Sequence, residues 1–175
     1  MIVDNTAPVA SDVQTANAGG TAGKAELGDT ITFTFSEPIE PGSILSGWDG
    51  TSTNVVVRID DGTNLGLGND PLTVWNSANS AQLPLGSVDL GRSDYRVTLL
   101  GLGGPISFGA SGTPSTMVMS GNQVTVTLGT PSATADTAAG TGTMTWTPST
   151  TPWDRAGNRL SGAAATESGS ADKEF

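Results

Sequence analysis

The residues best equipped for chemistry in this chain are acids. The run Asp60-Asp61-Gly62-Thr63-Asn64-Leu65-Gly66-Leu67-Gly68-Asn69-Asp70 sets hard oxygen donors among permissive glycines. Such a density of carboxylates and amide carbonyls suits calcium, which takes about 6–8 oxygens. Asp60, Asp61, Asn64 and Asp70 are the candidate ligands. Their spacing follows neither the EF-hand loop nor the calcium-binding nonapeptide repeat, and a solvated loop is the preferred reading. Paired acids could also hydrolyse a glycosidic bond, with Glu37 and Glu40, or Asp60 and Asp61, as the pair. That chemistry needs two carboxyls about 5–9.5 Å apart across a cleft, which adjacent loop acids do not establish.

The chain contains no His and no Cys. The commonest general base, the commonest transition-metal ligand and all thiol and disulfide chemistry are therefore missing. Any bound metal is expected to be a hard cation held by oxygen. The glycine-rich stretch Gly101 to Gly104 is not followed by Lys, so it does not read as a phosphate loop. An enzyme is not expected. The formal charge is −10, from 7 basic and 17 acidic residues, and the basic ones do not cluster. Nucleic acid and anionic membranes are poor partners for such a surface. No apolar run approaches transmembrane length, so membrane insertion is not expected. The acidity suits divalent cations, and it equally suits a secreted protein that must stay soluble.

Four tryptophans divide by context. Trp146 alternates with Thr145 and Thr147 and reads as core, as does Trp75. Trp48 lies in a Gly-Trp-Asp-Gly loop, and Trp153 stands between Pro152 and Asp154. These two are the candidates for contact with a sugar ring or a protein, although packing over one end of the fold is the preferred reading of each. Lys24 is the only lysine outside the last dozen residues, and it precedes a strand rather than lying within an apolar one. That position disfavours an isopeptide cross-link. The threonine rows lie on separate strands without a fixed repeat, so they read as solvent-facing strand residues rather than an ice-binding array.

Strands must position these groups. Hydrophobic residues make up 35% of the chain, low for a compact domain, but in the middle they are patterned rather than scattered. Ile31, Phe33 and Phe35 alternate with Thr30, Thr32 and Thr34. Val55, Val57 and Ile59 alternate with Val56 and Arg58. Leu72 to Trp75, Tyr95 to Leu100 and Thr143 to Thr147 are further strand candidates. Met117 to Val126 reads as a hairpin with Gly121-Asn122 in a type II′ turn. That register sets Met119 opposite Val124 and Met117 opposite Val126, all on one face. One helical turn is allowed between Glu37 and Leu45, after Pro38. Gly/Asp-rich segments at 47–50, 60–64, 68–71 and 101–105 supply turns, with extra length expected in loops at 60–71 and 101–114. With no βαβ alternation, the expected architecture is an all-β antiparallel sandwich. Residues 1–163 are expected as one domain and 164–175 as a flexible linker or tail, at a length of 175.

Three segments carry a family resemblance. They are Asp4-Asn5-Thr6-Ala7-Pro8, Gly28 to Pro38 with Ser36-Glu37-Pro38 at its end, and Asp154-Arg155-Ala156-Gly157-Asn158. In this order and separation they resemble the bacterial immunoglobulin-like modules strung in tandem along surface and adhesin proteins. The resemblance spans most of residues 4–162. It implies an immunoglobulin-like β-sandwich with enlarged loops, a non-catalytic spacing or adhesion role, and a location outside the cell or on the bacterial surface. Met1 leads directly into module-like sequence, so a piece of a longer protein is expected, with any export signal outside it. Neighbouring modules of the same chain are the implied partners, with a surface glycan or protein as the alternative. In some related tandem modules the first Asp and the Asp-x-Ala-Gly-Asn loop lie near an inter-domain junction that holds calcium. The matching residues are Asp4, Asp154 and Asn158, which otherwise serve to cap turns.

Overall fold

Alternation of branched or aromatic residues with threonine becomes strand wherever it is sustained. The computed structural model describes residues 4–62, 68–98 and 103–175. Among them the strands are β1 (Ala10–Ala16), β2 (Thr30–Phe35), β3 (Thr53–Ile59), β4 (Pro71–Asn76), β5 (Ser87–Asp89), β6 (Ile106–Phe108), β7 (Ser115–Ser120), β8 (Gln123–Thr127), β9 (Thr145–Thr147) and β10 (Ala165–Thr166). A single helical turn, α1 (Pro41–Ile44), opens with Pro at its first position, where the missing N–H has no helical partner to lose.

Every strand pairing is antiparallel, and one path links the sheet in the order β1-β2-β8-β7-β3-β4-β5-β9-β10, with β6 added beside β3. The two ends of that path meet. The Ser168 N–H, just past β10, donates to Asp12 Oδ1 at 2.8 Å, and Gln14 Nε2 donates to the Ser168 carbonyl at 2.9 Å. A register shift between Ala10 and Asp12 bends β1 at this seam, and such bulges add local twist. The fold is thus all-β, antiparallel and sandwich-like, made by one sheet curled nearly closed around a single core.

The core follows the period of two. Ile31, Phe33 and Phe35 of β2 face inward with Val55, Val57 and Ile59 of β3, Leu72 and Val74 of β4, and Val124 and Val126 of β8. Trp146 sits at the centre, with no exposed surface. Its ring meets the edges of Phe33 and Phe35 with both centroids at 5.1 Å, and its Nε1 donates to the Leu85 carbonyl at 2.6 Å. The expected hairpin forms in the expected register, with Met119 opposite Val124 and Met117 opposite Val126. Gly121 has φ of 60° at the first turn position, as a type II′ turn requires.

Several expectations need correction. Val56 is fully buried rather than solvent-facing, and it lies opposite Trp75 on the outer side of β3 and β4. Trp75 is half-buried, not core. The Arg58 guanidinium covers its ring at 3.6 Å and is held by Asn79 through Nε and Nη2. Residues 95–98 form no strand, and 99–100 lie outside the described residues. Tyr95 is buried because its hydroxyl anchors a distant segment rather than because it alternates. The 101–114 stretch is not all loop, since it contains β6. Residues 164–175, expected as a flexible tail, lie against the body. Ala165 pairs with Trp146, Phe175 is only 2% exposed, and Tyr95 meets Phe175 edge-on at 6.3 Å. One aromatic ring at the end of a polar stretch provides the apolar anchor that the segment's composition concealed.

Candidate functional site

The three resembling segments meet at one pole of the fold. At the near end of β1, the Ser36 N–H donates to Val9 O at 2.9 Å, and Ser36 Oγ accepts from the Val9 N–H at 3.0 Å. The Ser161 N–H donates to the Pro8 carbonyl at 2.9 Å, so Pro8 is buried between chain segments. Ile39 bridges Asp154, and the Glu40 N–H donates to Trp153 O at 2.8 Å. Ser43 of α1 ties the same strip from the other side, its Oγ accepting from the Trp153 N–H at 3.2 Å.

Asp154 closes its own loop. The Asn158 N–H and Nδ2 donate to its two carboxylate oxygens at 2.8 and 2.9 Å, and the Asp154 N–H donates back to Asn158 O at 3.0 Å. Gly157 takes φ of 93°, which this tight return demands. Asn158 Nδ2 also donates to the Asp4 carbonyl at 3.2 Å, fixing the first described residue beside the loop. One carboxylate oxygen each from Asp4, Glu37 and Asp154 then lie within 4.8 Å of one another. Burial opposes ionisation of Asp154, but the Asn158 hydrogen bonds outweigh it and hold the carboxyl below its usual range. Glu37 is pushed up, first by burial and then by the charges of Asp4 and Asp154. The arrangement concentrates negative charge at one spot, which a hard cation or a proton on Glu37 relieves.

Asp4, Asp154 and Asn158 are thus brought together, but the Asn158 side chain meets them as a donor, to the Asp154 carboxylate and to the Asp4 main-chain carbonyl. Glu37 takes the third acidic place. Its signal was present in Ser36-Glu37-Pro38, where the strand must end at the proline.

Two acids of the 60–70 run, Asp61 and Asp70, serve the backbone. Asp70 is fully buried, not solvated, and accepts from the N–H groups of Gly62 at 3.2 Å, Tyr95 at 2.9 Å and Arg96 at 2.8 Å. Burial pushes its carboxyl up to about 6, against the pull of those donors. Asp61 Oδ2 accepts from the Thr98 N–H at 3.0 Å and from Thr98 Oγ1 at 2.6 Å. Asp60 is half-buried and raised by that burial, partly offset by Arg58 and Arg96. Asn64 lies outside the described residues.

The two contact candidates separate. Trp48 is 7% exposed, and its Nε1 donates to the Thr51 carbonyl at 2.5 Å, so it packs over the pole beside α1. Trp153 is 37% exposed, with the Arg159 guanidinium 5.8 Å from its ring centre and Gly157 completing a shallow groove. A second acidic group, Glu167, Asp172 and Glu174, was missed because its residues lie in the stretch read as tail.

The class these observations define is an all-β antiparallel sandwich-like fold. Comparison with known proteins finds no matching family model, no matching curated protein and no matching solved structure. The resemblance to tandem surface modules therefore rests on the three motifs alone.

Proposed function

We propose that this chain is a non-catalytic structural module of an extracellular or surface-anchored bacterial protein, spacing or displaying its neighbours, with calcium stiffening one pole. The observation that carries this reading is the convergence of Asp4, Glu37 and Asp154, one from each resembling segment, where the described chain begins. The acids considered for hydrolysis suit a scaffold better, since Asp61 spends its carboxylate on the Thr98 backbone and Glu37 joins the polar cluster.

A second reading, a glycan- or protein-binding module, is favoured by one observation, the exposed Trp153 face with Arg159 beside it. Trp48 no longer contributes to it.

Thermal unfolding in excess EDTA and then in calcium tests the first reading. Calcium is expected to raise the melting temperature by linkage. Glu37→Gln, at a half-buried surface position, is expected to reduce that rise. Identical melting with and without calcium overturns the stiffening role. Retention of glycans by the wild type but not by Trp153→Ala favours the second reading.

A further inference from the structure

The far end of β1 holds the second group of acids, independent of the pole just described. Glu167 follows β10, its N–H donating to Met144 O at 3.1 Å. Asp172 bridges Gly142, whose N–H donates to the Asp172 carbonyl at 2.8 Å. Glu174 is only 1% exposed. Its N–H donates to the Tyr95 hydroxyl at 2.8 Å, and its Oε2 accepts from Thr15 Oγ1 at 2.6 Å. These bonds anchor the backbone of all three residues to separate parts of the fold, Thr15 holds the Glu174 carboxyl, and one oxygen from each acid lies within 4.8 Å of the others.

Two oxygens in this group receive no donor from any other group. Glu174 Oε1 and Glu167 Oε1 are both buried, and the two carboxyls lie within hydrogen-bond reach of each other, a contact that only a shared proton could use. A buried carboxylate oxygen without a donor or counter-charge is costly. Of the basic side chains toward this end, Lys24 pairs with Glu26 at 3.1 Å and Arg92 with Asp94 at 2.5 Å, and Lys173, between two of the acids in sequence, is exposed and forms no ion pair with them among the described residues. Three carboxyls this close, two of them with buried oxygens that no other group serves, call for a cation or a shared proton.

We propose that Glu167, Asp172 and Glu174 bind a divalent cation, calcium by their all-oxygen donor set, which fastens residues 165–175 to the body of the fold. Three carboxylates supply part of the ~6–8 oxygens calcium takes, and water on the exposed Asp172 side supplies others. The cation replaces the missing donor at both orphaned oxygens and offsets the mutual repulsion of the three charges.

The test is calorimetric titration of calcium alone into the EDTA-stripped full chain, with the wild type, Glu174→Gln, Asp172→Asn and Glu37→Gln. The expected result is a saturable isotherm in which Glu174→Gln and Asp172→Asn each lose more than ~10-fold in affinity for one site, a scale that even outer-shell changes reach. That site survives in Glu37→Gln, which separates it from the opposite pole. Asp172 is exposed, so its variant tests the proposal even if Glu174→Gln fails to fold. Unchanged binding in Asp172→Asn overturns the proposal. So does a wild type that binds no calcium, because a proton shared by Glu167 and Glu174 then relieves the cluster instead.

Discussion

Replacing Trp146 tests whether the sheet closes as described. The ring has no exposed surface, lies edge-on to two phenylalanines and gives its indole N–H to Leu85 O. Trp146→Phe removes that donor from a buried carbonyl, at about 1–2 kcal/mol. It also leaves room for part of the lost indole, and a void of ~40 Å³ adds about 1 kcal/mol. The sum, about 2–3 kcal/mol, is a large share of the ~5–15 kcal/mol that holds a typical domain together. Trp146→Ala forfeits both aromatic contacts as well and is expected to cost ~5 kcal/mol or more. Urea unfolding followed by far-ultraviolet circular dichroism reads both as a lower midpoint with unchanged slope. In thermal scans the Phe variant should melt about 5–10 °C lower. If both variants stay within ~1 kcal/mol of the wild type, β9 is not packed across β2 and the nearly closed core is wrong.

Further outcomes follow from the buried acids and the tryptophans. Asp70→Ala strips the acceptor from the Tyr95 and Arg96 N–H groups and should cost about 2–4 kcal/mol at pH 5, read by urea unfolding. The folded carboxyl of Asp70 stands at about 6 against an ordinary 3.8. Its proton-linked stability, about 3 kcal/mol, is therefore present below pH ~4 and lost as pH rises through ~6. Asp70→Asn, which cannot ionise, should flatten that slope. Glu174, raised from 4.5 to about 8, gives the same sign at higher pH. In EDTA the stability lent by its proton is present below pH ~4.5 and lost as pH rises through ~8, so the protein should weaken steadily between pH ~5 and ~8, and Glu174→Gln should weaken less. Trp48→Ala should cost ~3–5 kcal/mol as a core truncation, whereas Trp153→Ala should change unfolding by less than ~1 kcal/mol.

Where local pattern decides structure, the sequence was readable. The Met117 to Val126 hairpin needed only its turn chemistry and alternation, and its register is the one expected. The inward set on β2 needed only the Thr-x-Thr period. Partner choice was not local. Val56 is buried because β4 brings Trp75 and Arg58 over the outer face, and no property of β3 itself announces that cover. Short strands such as β5, β6 and β10 are too brief to show a period and exist through their neighbours. In the candidate site, the motif acids Asp4 and Asp154 were legible, and Glu37 stood in plain view in its motif. Glu167, Asp172 and Glu174 were not, because a polar stretch gave no sign that Phe175 and Tyr95 would pin it down. Asp70 misled for the opposite reason, since a buried acid that caps main-chain N–H groups has the same composition as a solvated loop.

The most direct test of a load-bearing spacer is its unfolding force, with the chain pulled through its two ends in EDTA and then in calcium. Tension between the Asp4 and Phe175 regions runs along β1, loading its ladder with β2 in shear. The expected trace is one cooperative rupture, at a higher force in calcium than in EDTA, with the gain reduced in Glu37→Gln. Gradual extension at low force, unaltered by calcium, would contradict a mechanical role for this fold.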